Sequence, residues 1–541
     1  MKIRSICLLV ALSFIIAISG CGKKQTTTND LSDKDISFPL ENGITLTYFV
    51  PNAAPASVSS YNDIAAYKKI QEITNITLKF IHPVANQVSE QFNIMIASGD
   101  YVDVIERPNT YSGGILKAYQ DKVIIRLNEY MDKYAPNLTA IYNQHPAVDA
   151  LANIDGDYYV APLIRGGQEL CTYVGTVLRR DWLKELNLEV PQTISEWETV
   201  LTAFKEKKGA KAPFSSTYAN FKREMFSCAF GVGENFYVLD GKVHYGPYED
   251  AYKDYVRTMA DWYDKGLIDA EIPTISDSKI LDSKVLNGEA GAYIGTVGTG
   301  IGGYLTTKQN DPVFDLVAAP YPVINKGDRA QFVQHDQAVS LNNAAISTKN
   351  KYPAETVALL DYMFSKEGYY LCNFGIEGES YVMVDNQPTF TELITKNPEG
   401  LSMSVIGMKY CRSFVSGPFV QSSAYVKQFY SMPQQREASE LWVKQFNEAG
   451  DKAAYGQLTV EENQEHSKIF SEISTYKGEM FTKWLMGTAS IDSFEEYREK
   501  LREFGIERVI KLKQQAYDRF IQRNSGIERF DISDVESYYN N

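Results

Sequence analysis

Ile44-Thr-Leu-Thr-Tyr-Phe-Val50 alternates side chains with a period of two and stops at Pro51, the pattern of a strand with one face buried. Asn62 or Asp63 follows as the cap of a helix that carries Ile64, Tyr67, Ile70 and Ile73 on one face. Thr77 to Ile81 reads as a second strand, stopped near Pro83. Residues 88–98 suit a second helix closed by Gly99-Asp100, and Val102 to Glu106 forms a third strand ended by Pro108. A β-α-β-α-β order between residues 44 and 106 dictates a parallel, doubly wound sheet. Such sheets hold ligands beyond the C-terminal ends of their strands, here the loops near Pro51, Pro83 and Arg107.

Beyond this unit, Tyr158-Tyr-Val-Ala-Pro-Leu163 reads as a strand that leaves it. Val174 to Leu178 is a short strand and Arg179 to Leu188 a helix, so a second α/β unit begins near residue 170. Thr193 with Glu196 three residues on forms a capping box, ahead of a helix with Trp197, Val200, Leu201 and Phe204 on one face. Further strands are expected at Ala290–Gly295, Phe314–Ala319 and Ala344–Ser347, and a helix at Pro353–Phe364. The C-terminal third is mostly helical; Phe494 to Ile521 carries one apolar stripe, broken at Gly505.

The chain has 541 residues, enough for two or three domains or two large lobes, and a core that needs no disulfide or metal. It is 44% apolar and 23% charged, an ordinary globular balance. A net charge of −14 argues against a nucleic-acid partner, whose phosphates require a basic face. The 36 Tyr and 26 Phe suit either a large core or surfaces that grip sugars or peptides.

Residues 1–20 have the form of a secretory signal: Lys2 and Arg4, then an apolar run from Ile6 to Ile18 too short for a comfortable span. Ile18-Ser-Gly-Cys21 resembles a lipobox, with Cys21 as the lipidated N-terminus, and residues 21–42 read as a polar flexible tether. Loss of Lys2 and Arg4 takes the charge from −14 to −16. Cys171, Cys228, Cys372 and Cys411 remain; their spacing matches no zinc motif, and they are either buried thiols or up to two disulfides. No metal or other cofactor is expected.

Nucleotide P-loop, HExxH, GxSxG and EF-hand patterns are all missing. Gly298-Thr-Gly-Ile-Gly-Gly303 does match GxGxxG, but it lies mid-chain and lacks the acid expected about 20 residues on. The better reading is a loop where backbone approaches a ligand or a neighbouring strand.

Several segments in order resemble one family: Phe92-Asn-Ile-Met-Ile-Ala-Ser-Gly-Asp100, Leu127-Asn-Glu-Tyr-Met-Asp-Lys-Tyr-Ala-Pro-Asn137, Arg180-Asp-Trp-Leu183, Asn287-Gly-Glu-Ala-Gly-Ala292, Phe374-Gly-Ile-Glu-Gly378 and Gly505-Ile-Glu-Arg-Val509. With the lipobox, the chain resembles the extracellular solute-binding lipoproteins of bacterial ABC importers, of the carbohydrate-binding kind. The resemblance implies a two-lobe, periplasmic-binding-protein-like α/β fold (type II) with a hinge and a helical C-terminal part. Lobe 1 would be residues 43–168 plus 327–372, and lobe 2 residues 169–326 plus 373–541. It also implies a lipid-anchored monomer on the outer face of the cell membrane that passes an oligosaccharide to permease subunits and performs no catalysis. A surface polysaccharide-degrading enzyme, a peptide binder and a sensor lipoprotein are the alternatives.

Site residues come from the same resemblance. Arg107, Asn109 and Tyr111 follow the third strand, where family members place ligand contacts; the alternative is a capped surface turn. Tyr218 lies in a loop resembling one that lines the cleft, or packs in the core. Thr296 follows a buried strand, where related sugar binders often carry a Trp nearby, so stacking from this loop is in doubt. Glu377 either accepts sugar hydroxyls or braces the hinge, with Tyr381 beside it and expected to be exposed. Arg165 binds an acidic sugar or forms a hinge ion pair, and His335 is a lone polar residue near a crossover.

Overall fold

The strand expected at residue 44 forms, and the elements after it follow the sequence closely. In this computed structural model, residues 35–53, 57–84, 87–399, 401–450, 452–527, 530 and 532–539 are described. The signal segment and Cys21 lie outside them. Residues 36–541 fold as one compact unit. The end of the expected tether is therefore not flexible: Leu40 is buried, and its N–H donates to Thr74 O at 3.0 Å.

The strands are β1 (Ile44–Phe49), β2 (Ile76–Ile81), β3 (Val104–Ile105), β4 (Ala161–Arg165), β5 (Val174–Arg179), β6 (Phe214–Ser215), β7 (Phe236–Leu239), β8 (Lys242–Tyr245), β9 (Ala292–Thr296), β10 (Leu316–Ala318), β11 (Val339–Ile346), β12 (Tyr381–Val384), β13 (Gln387–Phe390) and β14 (Val420–Gln421). The first sheet has the order β14-β4-β11-β3-β1-β2 and the second β10-β5-β9-β6. β1 pairs in parallel with β2 and β3, as the β-α-β-α-β reading requires. β11 runs antiparallel to both β3 and β4, because the chain enters it from the second sheet.

Local chemistry explains the helices. Ser60, rather than Asn62 or Asp63, caps a short turn before the helix Ala65–Thr74, which buries Tyr67 and Ile70. Thr193 and Glu196 form the expected capping box, and the helix Ile194–Lys208 buries Trp197, Val200, Leu201 and Phe204. Gly505, at φ 104°, separates the helices Phe494–Phe504 and Ile506–Arg523. Aromatic richness is largely core: Trp197, Trp262, Trp442 and Trp484 are fully buried, as are Tyr48, Tyr252 and Tyr293. The four described cysteines are buried free thiols. No helix among the described residues is long and apolar enough to cross a membrane.

The segment 373–421, expected with the second lobe, instead supplies β14 to the first sheet, where Val420 pairs with Ile164. The C-terminal residues return to the same side. Tyr539 stacks on Tyr369 at 4.0 Å and donates to Phe364 O. The helix Lys366–Phe374 leads into the hairpin of β12 and β13, and both pack in the same core.

Candidate functional site

Three chain segments pass between the sheets side by side. Arg165 N–H donates to Ala338 O at 2.9 Å, and Gly166 N–H donates to Gln421 O at 2.8 Å. Contact is close enough that a Cβ on Gly166 would lie 2.7 Å from Gln421 O and 2.6 Å from Glu536 Cγ. Asp336 organises the crossing: Tyr173 donates to it at 2.7 Å, and Arg165 and Arg223 lie at 3.6 and 3.7 Å.

Against this crossing lies a cavity of about 420 Å³. Ala53 and Arg165, which follow or end β1 and β4, face it from the first sheet; Thr296 and Gly298, at the end of β9, face it from the second. Tyr173, Phe414, Tyr425, Phe429 and Tyr430 form its aromatic wall. Phe414 meets Tyr425 and Phe429 edge-on, at 5.1 and 5.3 Å between ring centroids. The helix Ser423–Phe429 presents Tyr425 and Phe429 one turn apart; Ser422 caps it, and Glu536 accepts Ser423 N–H at 3.0 Å.

Polar groups sit between the rings. Thr296 Oγ1 accepts from Thr299 N–H and Gly300 N–H at 3.2 and 3.1 Å, closing the wide helical turn Val297–Gly303. This turn places glycine backbone at the cavity, as the sequence reading of the GxGxxG segment expects. Burial and the Asp336 carboxylate push the Tyr173 phenol up to about 12, so it stays a neutral hydroxyl. Flat apolar rings interleaved with hydroxyl, carboxamide, carboxylate and guanidinium groups can stack on and hydrogen-bond a polar, ring-shaped ligand.

Of the residues singled out in the sequence, Arg165 and Thr296 line this cavity. Arg165 is engaged with Asp336 and with Gln337 O, the ion-pair alternative. Asn109 and Tyr111 line a second cavity of about 390 Å³. Arg107 is exposed at the left-handed position (φ 63°) that opens the turn Pro108–Thr110. Tyr218 is half-buried, bonded to the Thr482 hydroxyl and covered by Lys222 at 4.1 Å. Glu377 is exposed on the turn before β12. Tyr381 departs from expectation: it is only 5% exposed and packs on Phe374 at 5.8 Å and Tyr370 at 6.1 Å. Its position at the start of a two-stranded hairpin turns the ring inward. His335 is not a lone polar group; it stacks on Phe446 with centroids 3.8 Å apart.

Sequence reasoning missed Tyr173, Phe414, Tyr425, Phe429 and Tyr430. The available signal was Ser422 followed by Tyr425 and Phe429 at helical spacing, within a segment too short to show periodicity.

The sequence model of the bacterial extracellular solute-binding proteins matches residues 54–370, well over half of the chain. The chain belongs to that family. It is 24% identical over 545 aligned positions to the fructooligosaccharide ABC transporter substrate-binding protein FusA of Streptococcus pneumoniae serotype 4, covering 96% of this chain and 98% of that protein. It is 23% identical to the lipoprotein LipO of Bacillus subtilis, over 73% of this chain and 78% of LipO. The crystal structure of the alginate-binding protein AlgQ2 without calcium ion superposes with a TM-score of 0.76 at 27% identity, covering 90% of this chain and all of that one. The fold is thus the type II periplasmic-binding-protein-like one, and FusA and AlgQ2 are binding proteins by name.

Proposed function

We propose that the chain captures an oligosaccharide between its two sheets and delivers it to the permease of an ABC importer, without chemical change to the ligand. The carrying observation is the aromatic-walled cavity of about 420 Å³, closed by residues from both sheets at the point where the chain crosses between them. Its size falls within the usual range for small-ligand sites, about 300–1,000 Å³. The names of similar proteins, which bind fructooligosaccharide and alginate, support a carbohydrate ligand. A glycan and peptide panel read by thermal shift tests the ligand class; a ligand at 100 times its Kd adds about 2.7 kcal/mol of stability. Stabilisation by peptides alone, or release of reducing sugar from a bound glycan, would overturn the reading.

The lipobox and the similarity to LipO support anchoring through Cys21 at the outer face of the membrane. Cys21→Ala should abolish incorporation of labelled fatty acid and release the protein. Continued labelling and membrane retention would remove the basis for the anchor.

A further inference from the structure

The cavity that takes Asn109 and Tyr111 contains a charge without a counterpart. It measures about 390 Å³ and is lined by Asn109, Tyr111, Asn463, Ser467 and Lys513 among others. Asn109 and Tyr111 follow β3, at the same C-terminal edge of the first sheet as Ala53 and Arg165 of the aromatic cavity. Lys513 comes from the helix Ile506–Arg523 and Asn463 from Val460–Leu485. The latter helix packs on the second sheet's surroundings through Phe481 against Phe221 and the Lys477–Glu234 ion pair. Asn463 Nδ2 donates across to Gly113 O at 2.9 Å, so the two sides meet at this cavity.

Lys513 is half-buried and, among the described residues, makes no hydrogen bond or ion pair; its ammonium lies 5.8 Å from the Phe236 ring and acts on the neighbouring His466 imidazole. The cation on the other cavity wall is engaged. Arg165, on the aromatic cavity, lies 3.6 Å from Asp336. Asp121, the acid bonded to Tyr111, is also held by Lys117. Burial alone lowers the Lys513 pKa from its ordinary value, the mark of an ammonium withdrawn from water without an anion to compensate it. A charge kept in that state is costly unless something pairs with it.

We infer that this cavity is a subsite of the ligand cleft that receives an anionic group, the carboxylate or sulfate of an acidic saccharide residue, with Lys513 as its counter-ion and Asn109, Asn463 and Ser467 as hydrogen-bonding neighbours. The inference rests on the oligosaccharide reading above and narrows it to ligands with at least one acidic unit. The ammonium supplies a point charge, and the amide and hydroxyl groups bond the remaining acceptors of a carboxylate or sulfate.

The test is calorimetric titration of the mature chain with three oligosaccharides of matched length: one neutral, one bearing uronate carboxylates, one bearing sulfates. The expected result is tighter binding of at least one acidic ligand. Lys513→Gln should weaken that ligand about tenfold or more while leaving the neutral ligand unchanged, and Lys513→Arg should retain most of the preference. The two acidic ligands separate carboxylate from sulfate. Thermal melts of Lys513→Met control for folding, since removing an unpaired half-buried charge should not lower the midpoint. Equal affinity of Lys513→Gln and the parent for acidic ligands would overturn this inference alone, as would binding of the neutral ligand only. Failure of all three to bind, across a wider glycan panel as well, would overturn the oligosaccharide reading with it.

Discussion

Tyr381 and Phe429 are aromatic side chains from the same C-terminal stretch, yet they have opposite environments. Tyr381 is enclosed by Tyr370 and Phe374, whereas Phe429 is half-buried with its ring on the cavity wall. Tyr381→Ala should therefore cost about 3 kcal/mol or more of folding stability and leave affinity nearly unchanged. Phe429→Ala should cost about 2 kcal/mol of binding, roughly 30-fold in Kd, with a small effect on unfolding. Urea unfolding paired with calorimetry on both variants decides; reversal of the pattern would move the site away from this wall. His335 supplies a pH test. Burial, opposed by Asp336 and assisted by Arg165, pushes its imidazole down to about 4. A folded pKa below the unfolded value of about 6.5 means the stability is fully present above 6.5 and is lost as pH falls towards 4, by up to about 3 kcal/mol. His466, held near 4 by burial and Lys513, adds its own share in both proteins. His335→Gln should be less stable at pH 7.5 and lose less on acidification to pH 4.5; identical pH slopes in urea unfolding would refute the assignment. At this scale the sequence was least informative. Arg165 and Thr296, taken from the resemblance, line the cavity because both sit at strand ends, which a sequence does show. The aromatic wall was not, because Phe and Tyr serve core and cavity alike, and only the third dimension separates them.

Elements were far more legible, because their signals are local. Alternation in 44–50, the Thr193–Glu196 box and Gly505 each specify a geometry through neighbouring residues only, and each is present. The segment that builds the cavity wall is different. The helix Ser423–Phe429 has seven residues, too few to hold itself in water. It is fixed from 113 residues away: Glu536 accepts Ser423 N–H at 3.0 and 3.1 Å, the Ser423 hydroxyl, and the Tyr369 hydroxyl. No local pattern in the sequence reports such a partner. Glu536→Ala should cost about 1–3 kcal/mol by leaving these donors unpaired. Because Tyr425 and Phe429 ride on the helix, ligand affinity should also weaken several-fold, with Glu536→Gln intermediate. Melting midpoints and calorimetric affinities measured together test this; a lower midpoint with unchanged affinity would make the C-terminal residues a clamp only.

At the scale of the whole molecule, three connections between the sheets run together at one edge of the cleft. Arg165-Gly166, Ala338 and Gln421 run as hydrogen-bonded neighbours there, while the loops after β1 and β3 carry no strand across. A molecule joined along one edge can open and close about that edge, with small φ/ψ changes in the crossing segments. A ligand touching both sides of the cavity, Arg165 and Ala53 on one and Thr296 and Gly298 on the other, would stabilise the closed form selectively. Small-angle scattering at saturating ligand should therefore give a smaller radius of gyration than the ligand-free protein. Gly166→Ala provides the internal control. Its Cβ would press on Gln421 O and on Glu536, the carboxylate that fixes the wall helix, so the crossing and the wall shift together. The variant should change the compaction and weaken affinity together while the aromatic side chains stay intact. Scattering curves that superpose with and without ligand, in a protein shown by calorimetry to be saturated, would rule out closure about this edge.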